Sequence, residues 1–365
     1  MTEHGLRPAP DVFVINTPLQ LLNAIEASAA YGSVDPHLLI LYWECWPRRA
    51  FAGLLASSRW SSVTWVPLDI YRPTWKFPPL GLSDRLAEYV WTWRRAGQRR
   101  TLESAFAVYG TSIDRLAIGN YCQPFMRHVL NTVPHRRAVA LDDGTDALKA
   151  AEQRRQAFEG GASRDSAAPP GLKGRVGARW VDMNSAHPKS ALEFFSVYDL
   201  PLTLATTLRR HKFEQLRNTL RYSAKGSEVF FLGQPLLEDG YVSAGDLATL
   251  LRDVERYYAG RELIYVPHKR ETSLSLDVVR GLGLNLVEFD DPIEIVLTTG
   301  RRQPRILSSF FCSALENCGI LLGDALTIHA VKIPTSMLLD AREEVARIYA
   351  YLGRSKSAAI TLIDL

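Results

Sequence analysis

Paired acids follow an apolar segment in the first half of the chain. The run Leu141-Asp142-Asp143-Gly144-Thr145 comes directly after the apolar residues 138–141. If those residues form a strand of an open parallel sheet, the acids lie at its carboxyl end, where such sheets bind ligands. Carboxylates there can act as a general base, a metal ligand or an acceptor for hydroxyl groups. An Asp-Asp-Gly turn with a helix cap at Thr145 explains the same residues without chemistry, so both interpretations stay open.

A basic loop with a histidine follows a second apolar segment. The run Tyr265-Val266-Pro267-His268-Lys269-Arg270-Glu271 predicts a strand that ends at Pro267 and exposes His268 beyond it. An imidazole can donate a hydrogen bond to a phosphate or act as a general acid near neutral pH. Lys269 and Arg270 add positive charge that suits a phosphate. A solvated basic turn is the alternative.

Two weaker patterns also lie in the second half. Ile306-Leu307-Ser308-Ser309 predicts a strand that breaks into a helix, with Ser308 as N-cap and free N–H groups that suit an anion. Leu232-Gly233-Gln234-Pro235-Leu236 follows another predicted strand, and Gly233 permits a ligand to approach the backbone closely. Capping without a ligand and an ordinary loop are the competing interpretations. The sequence contains no P-loop, GxSxG or HExxH pattern.

Alternating strands and helices must position these motifs. In the first half, the patterns predict strands at 11–16, 38–43, 63–67, 115–119 and 137–141, and helices at 19–31, 48–57 and 84–107. In the second half, they predict strands at 228–232, 263–267, 286–289 and 305–307, and helices at 245–259, 274–282, 292–299, 335–352 and from Ser308. This alternation is typical of the α/β class, with parallel sheets covered on both faces. We therefore expect two Rossmann-like domains facing a cleft.

A basic segment at 203–223 separates the two halves. We expect it to be partly helical and place the domain change at its end, which gives domains 1–222 and 223–365. Residues 157–174 are rich in Gly, Ala, Ser and Pro, which predicts a mobile surface loop.

Composition excludes several classes of protein. The 365 residues are 47% hydrophobic and 22% charged, which excludes global disorder, and the net charge of +4 is too small and diffuse to indicate nucleic-acid binding. No apolar run reaches the roughly 18–20 residues of a membrane span, and residues 1–10 lack an apolar signal core. The four cysteines form no CxxC pair, which favours reduced thiols over disulfides or a zinc site. We expect a cytoplasmic protein.

Together, the motifs resemble those of bacterial sialyltransferases, especially the lipooligosaccharide sialyltransferase and polysialyltransferase families. Residues 14–23 resemble the first strand and loop of these families, and 142–144 resemble their acidic motif. Residues 231–236 resemble the strand that opens their donor domain, and 267–268 stand at their His-Pro motif. Residues 293–294, 297–300 and 308–309 follow the order of their nucleotide site. Lys269 stands where the family's His-Pro motif has proline. The resemblance runs from about residue 11 to 340 as short islands.

The resemblance implies a GT-B fold, inversion at the anomeric carbon and a CMP-activated sialic acid as donor, without metal or cofactor. It implies Asp142 as the first choice of catalytic base, Asp143 as the second, and His268 as a donor to the leaving phosphate, either as imidazole or as imidazolium. Asp239 and Asp246 are held in reserve as bases. The nucleotide-sugar site comprises Gly233, Gln234, Pro267, His268, Lys269, Glu294 on the ribose, and Ser308 and Ser309 on the phosphate. Asn16, Thr17, Gln20 and Asn120 are assigned to the acceptor or donor sugar.

The implied partners are the CMP-activated sugar and a glycan acceptor, with no nucleic acid, and a homodimer is left open. Clustered basic residues in 203–223 and in Trp91–Arg100 suggest a surface that attracts an anionic glycan or makes a peripheral contact with the inner membrane, or simply a solvated helix face. Two other functions stay open. One is a transferase that uses another nucleotide sugar such as CMP-Kdo, and the other is a noncatalytic nucleotide-sugar-binding protein of capsule assembly.

Overall fold

The chain folds into two compact units. The computed structural model describes residues 9–42, 46–67, 100–110, 113–159, 186–218, 226–299, 302–355 and 358–365. The first unit comprises Met1–Trp46 and Leu54–Arg210, and the second comprises Pro47–Gly53 and His211–Leu365. Each unit contains one parallel sheet with helices in its connections, which confirms the predicted α/β class and its two Rossmann-like units.

The first sheet has seven parallel strands within the described ranges, in the order β3-β2-β1-β4-β5-β6-β7. Their bounds are β1 Asp11–Ile15, β2 Pro36–Tyr42, β3 Ser62–Pro67, β4 Ile113–Ile118, β5 His135–Leu141, β6 Leu192–Ser196 and β7 Thr206–Arg210. The chain moves outward from β1 to β3 and then returns to the other side of β1 at β4. This reversal creates a topological switch point between β1 and β4, and ligands bind outside the carboxyl ends of strands at such points.

The central strand β1 shows why this sheet forms. Val12, Phe13, Val14 and Ile15 are all fully buried, and β2 and β4 pair with the strand on its two sides. A strand buried on both faces reads as a continuous apolar run, which is why the sequence predicted it. The described helices that connect these strands include α1 Pro18–Tyr31, α2 Arg49–Ala56, α3 Pro124–Thr132 and α4 Asp146–Glu159. Helix α2 is divided between the two units, because Pro47–Gly53 belongs to the second.

The second sheet repeats this order with six parallel strands in the described part of the chain, β10-β9-β8-β11-β12-β13. Their bounds are β8 Val229–Leu232, β9 Leu263–Val266, β10 Asn285–Leu286, β11 Ile306–Ser309, β12 Thr327–Val331 and β13 Ile360–Ile363. The helices are α5 Glu214–Arg217, α6 Ala244–Tyr257, α7 Ser273–Gly281, α8 Ile293–Thr298, α9 Ser313–Leu322 and α10 Arg342–Leu352. The second switch point therefore lies between β8 and β11.

The predicted helix from Ser308 is wrong. Ser308 and Ser309 belong to β11, and the next helix begins at Ser313. Strand β11 pairs with β8 on one side and β12 on the other, so its backbone hydrogen bonds are satisfied as a strand. The hydroxyl of Ser309 finds a partner inside the sheet, since its Oγ donates to the carbonyl of Leu232 at 2.7 Å.

Other boundaries also differ from the sequence-based expectation. The basic segment forms the edge strand β7 and the single turn α5 up to Arg217, because Thr206–Arg210 pairs with β6 along its length. Residues 157–159 end α4 instead of opening a loop, and 160–174 lie outside the described residues. The single helix predicted at 335–352 is a short 3-10 turn followed by α10. Strands β6, β12 and β13 were not predicted.

Two further expectations concern segments that are only partly described. Most of the 84–107 helix and the Trp91–Arg100 cluster lie outside the described residues, although 100–107 are helical. Cys122, Cys312 and Cys318 are free thiols, and Cys45 lies outside the described residues. None of the helices that the structure describes combines the length and apolarity needed to cross a bilayer.

Candidate functional site

Asp142 turns inward at the carboxyl end of β5. Only 3% of the residue is exposed, and its Oδ2 accepts a hydrogen bond of 2.7 Å from the N–H of Val197, which follows β6. Its backbone carbonyl accepts a hydrogen bond of 3.2 Å from Nδ2 of Asn23 on α1. Asp142 therefore ties β5 to its neighbours, which is a structural use of this carboxylate.

Asp143 turns toward the first switch point. Its Oδ1 lies 3.3 Å from Oγ1 of Thr17, and its Oδ2 accepts a hydrogen bond of 2.6 Å from Nδ2 of Asn120. Thr17 follows β1 and Asn120 is close behind the end of β4. The carboxylate therefore lies where open α/β sheets place their ligands.

The surroundings of Asp143 make it a stronger base than an ordinary aspartate. Burial and the nearby charge of Asp146 raise its pKa to about 6, although hydrogen bonds from Asn120 and Thr17 act in the opposite direction. The same Asn120 amide also lies 3.0 Å from Oδ2 of Asp146, so the two acids are joined through one donor. A carboxyl group with this pKa is ionised at neutral pH and still able to accept a proton, as a general base requires.

The residues assigned to the sugar gather around the same switch point. The Oε1 atom of Gln20 accepts a hydrogen bond of 2.8 Å from the N–H of Asn16, whose Nδ2 donates to Gln123 at 3.1 Å. Gly119 makes room for this arrangement, because a Cβ at that position would overlap the side chain of Gln20. The structure thus brings together Asn16, Thr17, Gln20 and Asn120 beside Asp143, while the role of Gln123 was not predicted.

His268 lies in the loop after β9 in the second unit. Its Nδ1 accepts a hydrogen bond of 3.1 Å from the N–H of Arg270, which leaves the proton of the neutral ring on Nε2. Burial and the charge of Arg270 lower its pKa to about 4. The ring is therefore a neutral donor through Nε2 at neutral pH, which favours the imidazole over the imidazolium form. Pro267 and Lys269 lie half-buried on either side of it.

Gly233 and Gln234 join strand ends around the second switch point. The N–H of Gly233 donates to the carbonyl of Val266 at 2.8 Å, at the end of β9. The Oε1 atom of Gln234 accepts a hydrogen bond of 2.9 Å from the N–H of Phe311, beyond the end of β11. The side chain of Gln234 therefore bridges β8 and β11, the pair of strands that defines this switch point.

The two serines and Glu294 lie deeper than a ligand contact requires. Ser308 and Ser309 are fully buried, and Oγ of Ser309 donates to the carbonyl of Leu232 at 2.7 Å. Glu294 is 4% exposed, and its Oε1 accepts a hydrogen bond of 2.9 Å from Nδ2 of Asn317 on α9. Burial raises its pKa. The Asn317 bond occupies one carboxylate oxygen of Glu294, and the buried serines present no accessible hydroxyl to a phosphate.

The reserve acids have local roles. Asp239 forms an ion pair with Arg270. Asp246 lies in the first turn of α6, where its N–H donates to Oγ of Ser243 at 3.1 Å and its carboxylate accepts from the same hydroxyl. This reciprocal pairing is typical of an N-terminal helix cap.

Glu271 is a site residue to which the sequence analysis gave no role. It is 8% exposed and accepts a hydrogen bond of 2.6 Å from the N–H of His268. Burial raises its pKa to about 7. The sequence feature that could have identified Glu271 is an acidic residue three positions after the histidine, in a loop that follows a strand.

A glycine at position 233 is required by close packing. A Cβ added to it would overlap Oε2 of Glu271 and lie 2.5 Å from the hydroxyl of Tyr265. We therefore expect Gly233→Ala to lower the free energy of unfolding by about 1–3 kcal/mol, as overpacking does. Urea denaturation measures this change. Gly245→Ala is the matched control, because a Cβ there meets only Oγ of Ser243 at 3.8 Å. Equal stability of the two variants would contradict the packing argument.

Sequence comparison leaves the chain without an assigned family, since no protein-family model and no curated protein matches it. Several solved structures that it resembles are glycosyltransferases. One is the GT-B domain of the sialyltransferase from Photobacterium damselae, at 13% identity and a TM-score of 0.41, covering 96% of this chain and 99% of that one. Two successive Rossmann-like units fit the GT-B class.

Two other similar structures have different substrates in their descriptions. The E. coli heptosyltransferase WaaC with ADP-2-deoxy-2-fluoro heptose is 12% identical with a TM-score of 0.41, covering 97% of this chain and 92% of that one. UDP-glucose:anthocyanidin 3-O-glucosyltransferase in complex with UDP is 10% identical with a TM-score of 0.46, covering 98% and 86%. Likeness at this level does not identify a substrate, because one fold serves many functions.

Proposed function

We propose that this chain is an inverting glycosyltransferase that moves sialic acid from a CMP-activated donor to a glycan hydroxyl without a metal or other cofactor. The observation that supports transfer chemistry is Asp143, a carboxyl group with a pKa of about 6 at the first switch point. The choice of CMP and sialic acid rests on the order of the sequence motifs, from the acidic motif at 142–144 to the His268 loop.

Asp143 is the proposed catalytic base. As the acceptor oxygen attacks the anomeric carbon of the donor, its proton passes to the Asp143 carboxylate. The bond from the anomeric carbon to the phosphate oxygen breaks with its electron pair leaving on CMP. Thr17 and Asn120 hold both carboxylate oxygens, so the base is oriented before the substrate binds.

His268 is the proposed donor to the leaving phosphate. Negative charge develops on the phosphate oxygen as the bond breaks, and a fixed donor aimed there stabilises the transition state more than the ground state. The Nε2–H tautomer supplies that donor without a charge of its own. Lys269 adds positive charge beside it.

A noncatalytic nucleotide-sugar-binding protein is less well supported. Such a protein has no use for a base, whereas burial and the nearby charge of Asp146 raise the proton affinity of Asp143 despite its hydrogen bond from Asn120. Release of free CMP from CMP-sialic acid in the presence of a glycan acceptor separates the two functions.

Nucleotide preference tests the proposed donor. We expect the protein to bind CMP more tightly than UDP or GDP in calorimetric titrations, and EDTA to leave the transfer rate unchanged. Tighter binding of UDP or GDP would contradict the proposal. Because CMP preference is shared by a CMP-Kdo transferase, parallel assays with CMP-sialic acid and CMP-Kdo then identify the sugar.

A further inference from the structure

The carboxylate of Glu271 joins the end of β9 to the loop that carries His268. Its Oε1 accepts a hydrogen bond of 2.7 Å from the hydroxyl of Tyr265, and its Oε2 accepts one of 2.6 Å from the N–H of His268. Above its pKa of about 7 the carboxylate is ionised and accepts only, so it suits two donors that approach its two oxygens. Below that pH the protonated group still has a carbonyl oxygen that can accept the N–H of His268, and its O–H can turn to the oxygen of Tyr265, as a glutamine amide would. One buried side chain therefore fixes the backbone of His268 relative to the sheet.

Close packing from β8 confines this carboxylate further. Gly233 follows β8, and a Cβ there would overlap Oε2 of Glu271. The backbone of Gly233 is itself held by its hydrogen bond to Val266 at the end of β9. The ends of β8 and β9 and the His268 loop thus meet at one side chain, which leaves the carboxylate little freedom to move.

The far side of the loop is anchored independently. Arg270 pairs with Asp239 in the loop after β8. In that same loop, Glu238 accepts hydrogen bonds from the N–H of Thr272 at 2.7 Å and from Oγ of Ser275 at 2.8 Å. These side-chain contacts fix the start of α7, and the part of the loop that they hold reaches His268 through the N–H of Arg270, which donates to the ring and not to the His268 backbone.

We infer that Glu271 is the positioning residue for His268, holding its backbone so that the ring presents Nε2–H to the leaving phosphate. The identity of the phosphate in this inference rests on the proposed function. The position in which the His268 ring is held rests only on the contacts of Glu271. Glutamine at position 271 can keep the His268 bond through Oε1 and turn its amide N–H toward the oxygen of Tyr265. Alanine keeps neither bond.

The position of the ring is measured without substrate. The Hε1 resonance of His268 is followed by NMR across pH 3–8 and assigned by its absence from the spectrum of His268→Gln. Burial keeps the pKa of His268 at about 4. We expect Glu271→Ala to raise this pKa toward the ordinary histidine value as the loop loosens and water reaches the ring. Glu271→Gln and Tyr265→Phe, which keep the His268 bond, should leave it low.

Transfer kinetics provide the second measurement. We expect Glu271→Ala to lower kcat by about 10²-fold, the scale of a small misplacement of a reacting group, with KM for the donor little changed. Glu271→Gln should restore most of the rate. Tyr265→Phe frees one carboxylate oxygen but keeps the bond to the N–H of His268, so its effect should be clearly smaller than that of Glu271→Ala.

The outcomes separate the two proposals. An unchanged His268 pKa in Glu271→Ala, or equal effects of Glu271→Ala and Tyr265→Phe, would overturn the positioning role. If Glu271→Ala does not fold, Glu271→Gln provides the test. A rise of the His268 pKa to the ordinary histidine value in Glu271→Gln would also overturn the positioning role. If wild type transfers no sugar but the NMR result is as expected, the proposed function fails and the positioning of His268 stands.

Discussion

Asp143→Asn is expected to lower the transfer rate by about 10²-fold or more while CMP binding stays unchanged. Asparagine keeps the shape of the side chain and removes its capacity to accept a proton, and general-base catalysis typically contributes about 10²- to 10⁴-fold. In wild type, transfer should rise as the pH increases through about 6, because the carboxyl group with that pKa must lose its proton to act. In Asp143→Asn, the pH profile of kcat/KM should no longer show this rise near pH 6.

Asp142→Asn is the matched control for the neighbouring acid. Sequence alone favoured Asp142 as the base, but its Oδ2 accepts the N–H of Val197 inside the first unit. Asparagine there should lower the free energy of unfolding by about 1–3 kcal/mol, the scale for a disturbed buried hydrogen bond. The rise of kcat/KM with pH near 6 should be preserved in this variant. If transfer instead persists in Asp143→Asn and fails in a folded Asp142→Asn, the base is Asp142.

His268→Ala should lower kcat by roughly 10²- to 10³-fold, as expected for the loss of one donor to developing charge. Donor affinity should change much less, because the charge on the phosphate grows only as the bond breaks. Steady-state kinetics together with CMP titration separate these two effects. Full activity of this variant would end the assignment.

The protonation state of His268 gives a second expectation within this experiment. A pKa of about 4 keeps the ring neutral, so the rate should not fall as the pH increases from 6.5 to 8. His268→Gln, whose amide N–H can stand in for Nε2–H, should retain more activity than alanine. His135→Ala is the control, because this histidine lies at the amino end of β5, away from the switch point.

The sequence predicted strands best where both faces are buried. The runs that became β1 and β8 are continuously apolar and central in their sheets, so their patterns were unambiguous. The acidic motif and the His268 loop were located because each follows an apolar strand end, residues 138–141 of β5 and 263–266 of β9. Short edge strands such as β7, with arginines facing solvent, carry no comparable signal.

Side-chain direction could not be read from the sequence. Asp142 and Asp143 are adjacent, and which of them faces the ligand edge depends on the N–H of Val197 arriving from β6, a strand that was not predicted. Ser308 and Ser309 resemble a helix cap until pairing with β8 and β12 is known. In both cases the deciding partner comes from a distant part of the chain.

The contact between Gly119 and Gln20 has an evolutionary consequence. Because the glutamine side chain occupies the space that a Cβ at position 119 would need, position 119 cannot gain a side chain while Gln20 keeps this conformation. Homologous chains are expected to substitute the two together, with a shorter residue at 20 accompanying any larger residue at 119. Since Gln20 also accepts the N–H of Asn16, such paired substitution would mark lineages in which this end of the first sheet has been remodelled. Covariation at this pair can therefore trace descent where overall identity has decayed.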